Sequence, residues 1–69
     1  MSETIAITLN GAEHRTAAPD VAALLAELHL EPERVVAEVD GKVLRPEDFV
    51  GTPLYEGVVI ELLRFVGGG

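Results

Sequence analysis

Two dipeptides govern what this chain can fold into. Asn10-Gly11 and Asp40-Gly41 each follow a run of alternating apolar residues and each precede a shorter run. Both positions of such a pair tolerate the positive φ of a type I′ turn, whose twist matches that of two antiparallel strands. Each dipeptide therefore marks a hairpin. In the first, Ile5, Ile7 and Leu9 alternate with Thr4, Ala6 and Thr8, which is the period of a half-buried strand. Residues 12–17 return as a second, more polar strand. In the second, Val35, Ala37 and Val39 share one face and Val36 and Glu38 the other; residues 42–45 return until Pro46 stops them.

Between the hairpins Pro19-Asp20 breaks the extended run, and the Asp20 carboxylate is placed to cap a helix. Val21, Leu24, Leu25 and Leu28 recur at helical spacing. With Pro32 as the stop, the spacing predicts a helix of about three turns. Residues 47–56 read as loop or a short helical turn. Residues 58–65 are the last strand, with Val58, Ile60 and Leu62 on one face and Val59, Glu61, Leu63 and Phe65 on the other. The order is β-β-α-β-β-β, and the helix must cover the apolar face of the sheet. The expectation is an α+β fold, the β-grasp or ubiquitin-like roll: a mixed sheet with one main helix on one face. In that roll the last strand enters the middle of the sheet parallel to the first. Residues 1–66 are expected to form this domain, and 67–69 a flexible tail.

Composition bounds the function classes. A chain of 69 residues fits one domain and leaves little room for a closed catalytic pocket, so a non-enzyme is favoured. There is no Cys, hence no disulfide, thiolate metal site or Cys nucleophile, and two His do not make a structural zinc site. The net charge is −7, with Arg15, Arg34, Lys42, Arg45 and Arg64 scattered. That disfavours nucleic acid and anionic membranes, which call for clustered cations. The charge reads either as plain solubility or as attraction of a basic protein surface. Met1-Ser2-Glu3-Thr4 shows no basic start and no long apolar run, so no signal peptide is expected and the cytoplasm is the default location.

The sequence closes on Gly67-Gly68-Gly69. Without Cβ atoms such a run is thin and conformationally free. It can thread a narrow channel and deliver the α-carboxylate of Gly69 to another protein's active site. A carboxylate can attack the α-phosphate of ATP to give an acyl adenylate, which a sulfur nucleophile or thiol can capture. Taken alone, the run reads equally well as a frayed end; joined to the β-grasp order, it reads as a delivered group.

The chain resembles the sulfur-carrier proteins of thiamine thiazole synthesis, among the bacterial ubiquitin-like sulfur carriers. The resemblance runs over the whole chain. It rests on Leu9-Asn10-Gly11, on Asp20-Val21-Ala22-Ala23-Leu24-Leu25 and on Val36-Ala37-Glu38-Val39-Asp40-Gly41. It continues through Pro53-Leu54-Tyr55-Glu56-Gly57 and Ile60-Glu61-Leu62-Leu63 to Arg64-Phe65-Val66-Gly67-Gly68-Gly69, the most specific element. It implies a protein co-substrate rather than an enzyme, with no cofactor of its own. An E1-like partner would use ATP to adenylate Gly69, with Gly68 and Gly67 as the recognised approach. A persulfide enzyme would supply sulfur for a thiocarboxylate, and a thiazole synthase would receive it. Any zinc would be the partner's. The carrier is expected to be a monomer when free. Siblings serving tRNA thiolation, molybdopterin or cysteine synthesis share fold and tail, and a ubiquitin-like modifier would share the adenylation. One departure is Val58, where the family usually has Asp; it is expected to alter a turn or a partner contact.

If Ile60 and Leu62 face the helix, Leu63 and Phe65 face away, and Val36 on the neighbouring strand joins them. An exposed apolar patch of Val36, Leu63 and Phe65, rimmed by Glu38, Glu61 and Arg64, is the expected docking surface, unless residues 47–56 fold over it. His14 reads as solvated surface. His29 reads as a complement to the helix C-terminus. Glu47-Asp48 and the pair Glu31 and Glu33 read as solvated loop charges. Phe49 and Tyr55 read as satellite core under the loop.

Overall fold

A computed structural model describes residues 3–65; Val66 and the three tail glycines lie outside the described residues. Five strands form one sheet: β1 (Ile5–Leu9), β2 (Ala12–Thr16), β3 (Val35–Val39), β4 (Lys42–Leu44) and β5 (Val59–Arg64). A single α-helix, α1 (Val21–Glu27), lies between β2 and β3. The strand order is β2-β1-β5-β3-β4. β5 runs parallel to β1 and antiparallel to β3, with both hairpins antiparallel. This is the β-grasp arrangement.

Both hairpins turn where the dipeptides place them. Asn10 and Gly11 have φ of 51° and 84°, and Asp40 and Gly41 have 50° and 84°. Two positive values in succession make a type I′ turn. Each two-residue turn fixes its register, Leu9 opposite Ala12 and Val39 opposite Lys42. The register then fixes every side chain's face.

One face of the sheet and α1 enclose the core: Ile7, Val35, Ala37, Val58, Ile60 and Leu62 from the sheet side, Val21, Leu24 and Leu25 from the helix, and Phe49 from the loop. Val58 is fully buried among them, so it is a core residue rather than part of a turn or a partner contact. Phe49 is likewise central to the core and not a satellite.

The helix has seven residues, shorter than the spacing predicts. Asp20 caps its start, accepting the Ala23 N–H at 2.8 Å. Its end is set by backbone geometry rather than by Pro32. His29 takes φ of 60°, its N–H donates to Ala26 C=O at 3.1 Å, and the Leu30 N–H donates to Leu25 C=O at 2.9 Å. This pair of bonds is a Schellman closure, in a position usually held by Gly. Pro32 instead opens a short 3-10 turn, Pro32–Arg34, that feeds β3.

The connection from β4 to β5 runs to the helix N-terminus. After a 3-10 turn at Pro46–Asp48, the Phe49 and Thr52 carbonyls accept the Ala22 and Val21 N–H groups at 3.2 and 3.1 Å. These are donors that the first helical turn cannot satisfy itself. The loop thus seals the core beside α1 and leaves the opposite face of the sheet uncovered.

Replacing Leu24, which has no exposed surface, by Ala is expected to cost about 2–5 kcal/mol in urea denaturation. Ala26→Ser, at an exposed position of the same helix, is expected to cost less than about 1 kcal/mol.

Candidate functional site

β5 is the strand that ends nearest the glycine tail. Its even-numbered residues, Val58, Ile60 and Leu62, enter the core, so Val59, Glu61, Leu63 and Phe65 face away from the helix. The alternation read from the sequence holds along the whole strand. β3 lies beside it with Val36 opposite Leu63 and Glu38 opposite Glu61. The ladder extends past β5, because the Phe65 N–H donates to Arg34 C=O at 2.8 Å. Leu63 is 63% exposed and Phe65 57%. The structure therefore brings Val36, Leu63, Phe65, Glu38 and Glu61 onto one face, with Leu63, Phe65 and Glu61 exposed and Val36 and Glu38 half-buried rather than open to solvent as expected of Val36.

Arg64 is the exception among the expected rim residues. It is opposite Val35, and strand alternation assigns it to the helix side of the sheet, at the exposed end of β5. It does not border the patch on the outer face. Gly67, Gly68 and Gly69 lie outside the described residues.

Two apolar members of this face were not part of the expected patch. Val59 is 44% exposed at the start of β5, and Val43 is 63% exposed on β4, opposite Glu38. The signal for Val43 is in the sequence: a two-residue turn at Asp40-Gly41 pairs Val39 with Lys42 and hence Glu38 with Val43. Val59 follows from the parity of β5.

The parallel junction between β1 and β5 is closed by side chains at both ends. The Ala6 N–H donates to Glu56 Oε1 at 3.1 Å, and the Leu62 N–H donates to Asn10 Oδ1 at 2.8 Å. Between them Thr8 and Asn10 donate to the Val58 and Ile60 carbonyls, each at 2.9 Å. Tyr55 is exposed rather than satellite core. Its hydroxyl donates to Asp40 Oδ2, while Asp40 Oδ1 accepts the Val59 N–H at 3.0 Å. The second turn is thereby tied to the start of β5.

Similarity to known proteins bears on this arrangement. The family model described as the ThiS family matches residues 4–69. The chain belongs to the ThiS family. The crystal structure of thiamine biosynthesis protein ThiS from Geobacter metallireducens is 33% identical, with a TM-score of 0.79, covering 94% of this chain and all of that one. The NMR solution structure of a thiamine biosynthesis protein from Geobacter metallireducens is also 33% identical, with a TM-score of 0.77, covering 94% of this chain and 88% of that one. No curated protein matches. The assignment is to a family of small sulfur carriers, and it agrees with the β-grasp topology.

Several of the remaining titratable side chains of this ThiS family member pair with one another. No group of three or more metal-ligating side chains occurs among the described residues, and no helix among them is long and apolar enough to cross a membrane. Glu47 and Glu31 pair with Arg45 and Arg34 on exposed turns. His29 is exposed at the helix end. His14 is not simply solvated. Its Nε2 lies 3.0 Å from Glu27 Oε2, and the Thr16 hydroxyl donates to Glu27 Oε1 at 2.6 Å. Thr16 is buried, so this carboxylate joins the last turn of α1 to the edge strand β2.

The Thr16 hydroxyl, and then the His14 ring, hold the Glu27 carboxyl below its ordinary value of 4.5. A carboxyl lowered in the folded state stabilises the fold fully above its unfolded value and loses that contribution as pH falls through the folded one. Melting temperature is thus expected to fall with acidification below about pH 4.5 more steeply in the parent protein than in Glu27→Gln. Equal acid limbs in the two melting profiles would contradict this.

Proposed function

We propose that this protein carries sulfur as a thiocarboxylate on Gly69 for the thiazole ring of thiamine. An E1-like enzyme binds the carrier and uses ATP: the terminal carboxylate attacks the α-phosphate, pyrophosphate leaves, and an acyl adenylate forms. The outer sulfur of an enzyme persulfide then displaces AMP from the acyl carbon to give an acyl disulfide. A second thiol attacks the inner sulfur, forming a disulfide and releasing the thiocarboxylate, which passes its sulfur to a thiazole synthase. ATP and any metal belong to the partners, and the carrier contributes the reactive carboxylate, the thin Gly67-Gly68 approach and a docking face. The cytoplasm is the compartment where we place it.

The observation that carries this reading is the course of β5. The strand lies in the middle of the sheet, presents Leu63 and, just past its end, Phe65 to solvent, and is followed in the sequence, after Val66, by the three glycines of a chain that belongs to the ThiS family. An exposed contiguous apolar surface marks an interaction site, and this one lies on the strand that precedes the tail in the sequence. Val36, Leu63, Phe65 and Glu61 form the proposed docking surface.

The test is intact-mass measurement after incubation with the adenylating enzyme of the same organism, ATP and a sulfur source. The expected product has one sulfur in place of one oxygen and hands it to a thiazole synthase. Transfer to a tRNA, molybdopterin or cysteine pathway acceptor would assign a sibling role, and a ladder of conjugates would mark a modifier.

Deleting Gly69, or replacing Gly68 by a bulky residue, is expected to abolish carrier-dependent ATP–pyrophosphate exchange with no change in circular dichroism or melting. Retained exchange would show that the terminal carboxylate is not the reacting group. Leu63→Asp is expected to leave the melting temperature nearly unchanged and to weaken binding to the adenylating enzyme at least tenfold, about 1.4 kcal/mol, by titration calorimetry. Unchanged affinity would remove the outer face from the interface.

A further inference from the structure

Glu38 and Glu61 are direct cross-strand partners on the outer face. Side chains so placed have Cβ atoms only about 4.5–5.5 Å apart, and like charges there destabilise the sheet. No cation among the described residues pairs with either of them. The ion pairs among the described residues are His14 with Glu27, Arg34 with Glu31 and Arg45 with Glu47. Arg15 is engaged with Thr4. Lys42, opposite Val39, and Arg64, opposite Val35, alternate to the other side of the sheet. Asp40, two residues from Glu38, adds a further acid, already accepting from Tyr55 and Val59.

The two glutamates are also ringed by exposed apolar groups. Val43 flanks Glu38 across β4, and Val59 and Leu63 flank Glu61 along β5. An acid pair in the middle of an uncovered apolar face calls for one kind of occupant. A second copy of this chain would set acid against acid, which like-charge juxtaposition opposes. A partner that is apolar and carries a cation at its centre fits both features.

We propose that this face docks on a partner surface whose apolar area surrounds an arginine seated between Glu38 and Glu61. The planar guanidinium presents several donors in a fixed fork and can serve two carboxylates at once. The apolar ring would exclude water and strengthen the contact. The repulsion present in the free carrier is relieved only in the complex, so the pair discriminates for basic partners and against self-association. The proposal rests on the carrier reading above, with the adenylating enzyme as the partner.

The test uses the full chain, titrated calorimetrically with the adenylating enzyme of the same organism at about 0.05 and 0.5 M salt. Glu38→Gln/Glu61→Gln is expected to melt at or above the parent temperature, to bind at least tenfold more weakly at low salt, and to lose most of the salt dependence. Glu61→Arg is expected to bind more weakly still, and the control Glu33→Gln/Glu47→Gln as the parent does. Parent-like binding of the double variant at both salts, while Leu63→Asp binds poorly, would overturn the seated cation and leave the carrier reading intact. Equal weakening in the control pair would also overturn it, as an effect of net charge alone. If the parent chain itself is not bound, the carrier reading fails and this proposal with it.

Discussion

The structure depends on the insertion of β5 between β1 and β3. Neither hairpin is a stable unit alone, since an isolated two-stranded hairpin is marginal in water. β5 gives each a partner and makes one sheet of them. Its even-numbered side chains, Val58, Ile60 and Leu62, supply the middle of the core. The parallel contact with β1 is short, and side chains extend it: Glu56 takes the Ala6 N–H at one end and Asn10 takes the Leu62 N–H at the other. Asn10 therefore serves twice, as the left-handed residue of a turn and as a substitute for a backbone acceptor that β1 no longer provides.

That central position also settles the asymmetry of the molecule. A strand with two neighbours has no free edge along its paired length, so its exposed chemistry is confined to one face and to its end. The helix and the loop carrying Phe49 cover one side, because the loop's carbonyls are drawn to the unsatisfied donors at the helix N-terminus. The other side keeps Val43, Val59, Leu63 and Phe65 in water. This sidedness suits a carrier of the ThiS family: the strand that presents the open face is the one the tail follows in the sequence.

The readings that matched the structure were local. Alternation in 35–39 and 58–65 assigned each side chain to its face, and the two-residue turns set the register of both hairpins. The readings that departed from it needed information from elsewhere in the chain. Pro32 looked like the stop of α1, but the helix closes earlier at His29, a left-handed residue that composition does not flag. Tyr55 looked like core, yet its hydroxyl finds Asp40 across the second turn. His14 looked solvated, yet the fold brings Glu27 beside it. Val58, read on the face of Ile60 and Leu62, is core as that alternation requires, and not the turn or partner contact that its departure from the family pattern suggested.

The sequence by itself determined the hairpins, the helix start and the two faces of the last strand, since periodicity and turn chemistry act over a few residues. Only the tertiary structure decided where residues 47–56 go, and hence that the outer face stays open. It alone showed that Glu38 lies opposite Glu61 with no compensating cation among the described residues and that Arg64 alternates to the helix side. These outcomes depend on contacts between residues far apart in the chain, which form only when β5 takes its place in the sheet.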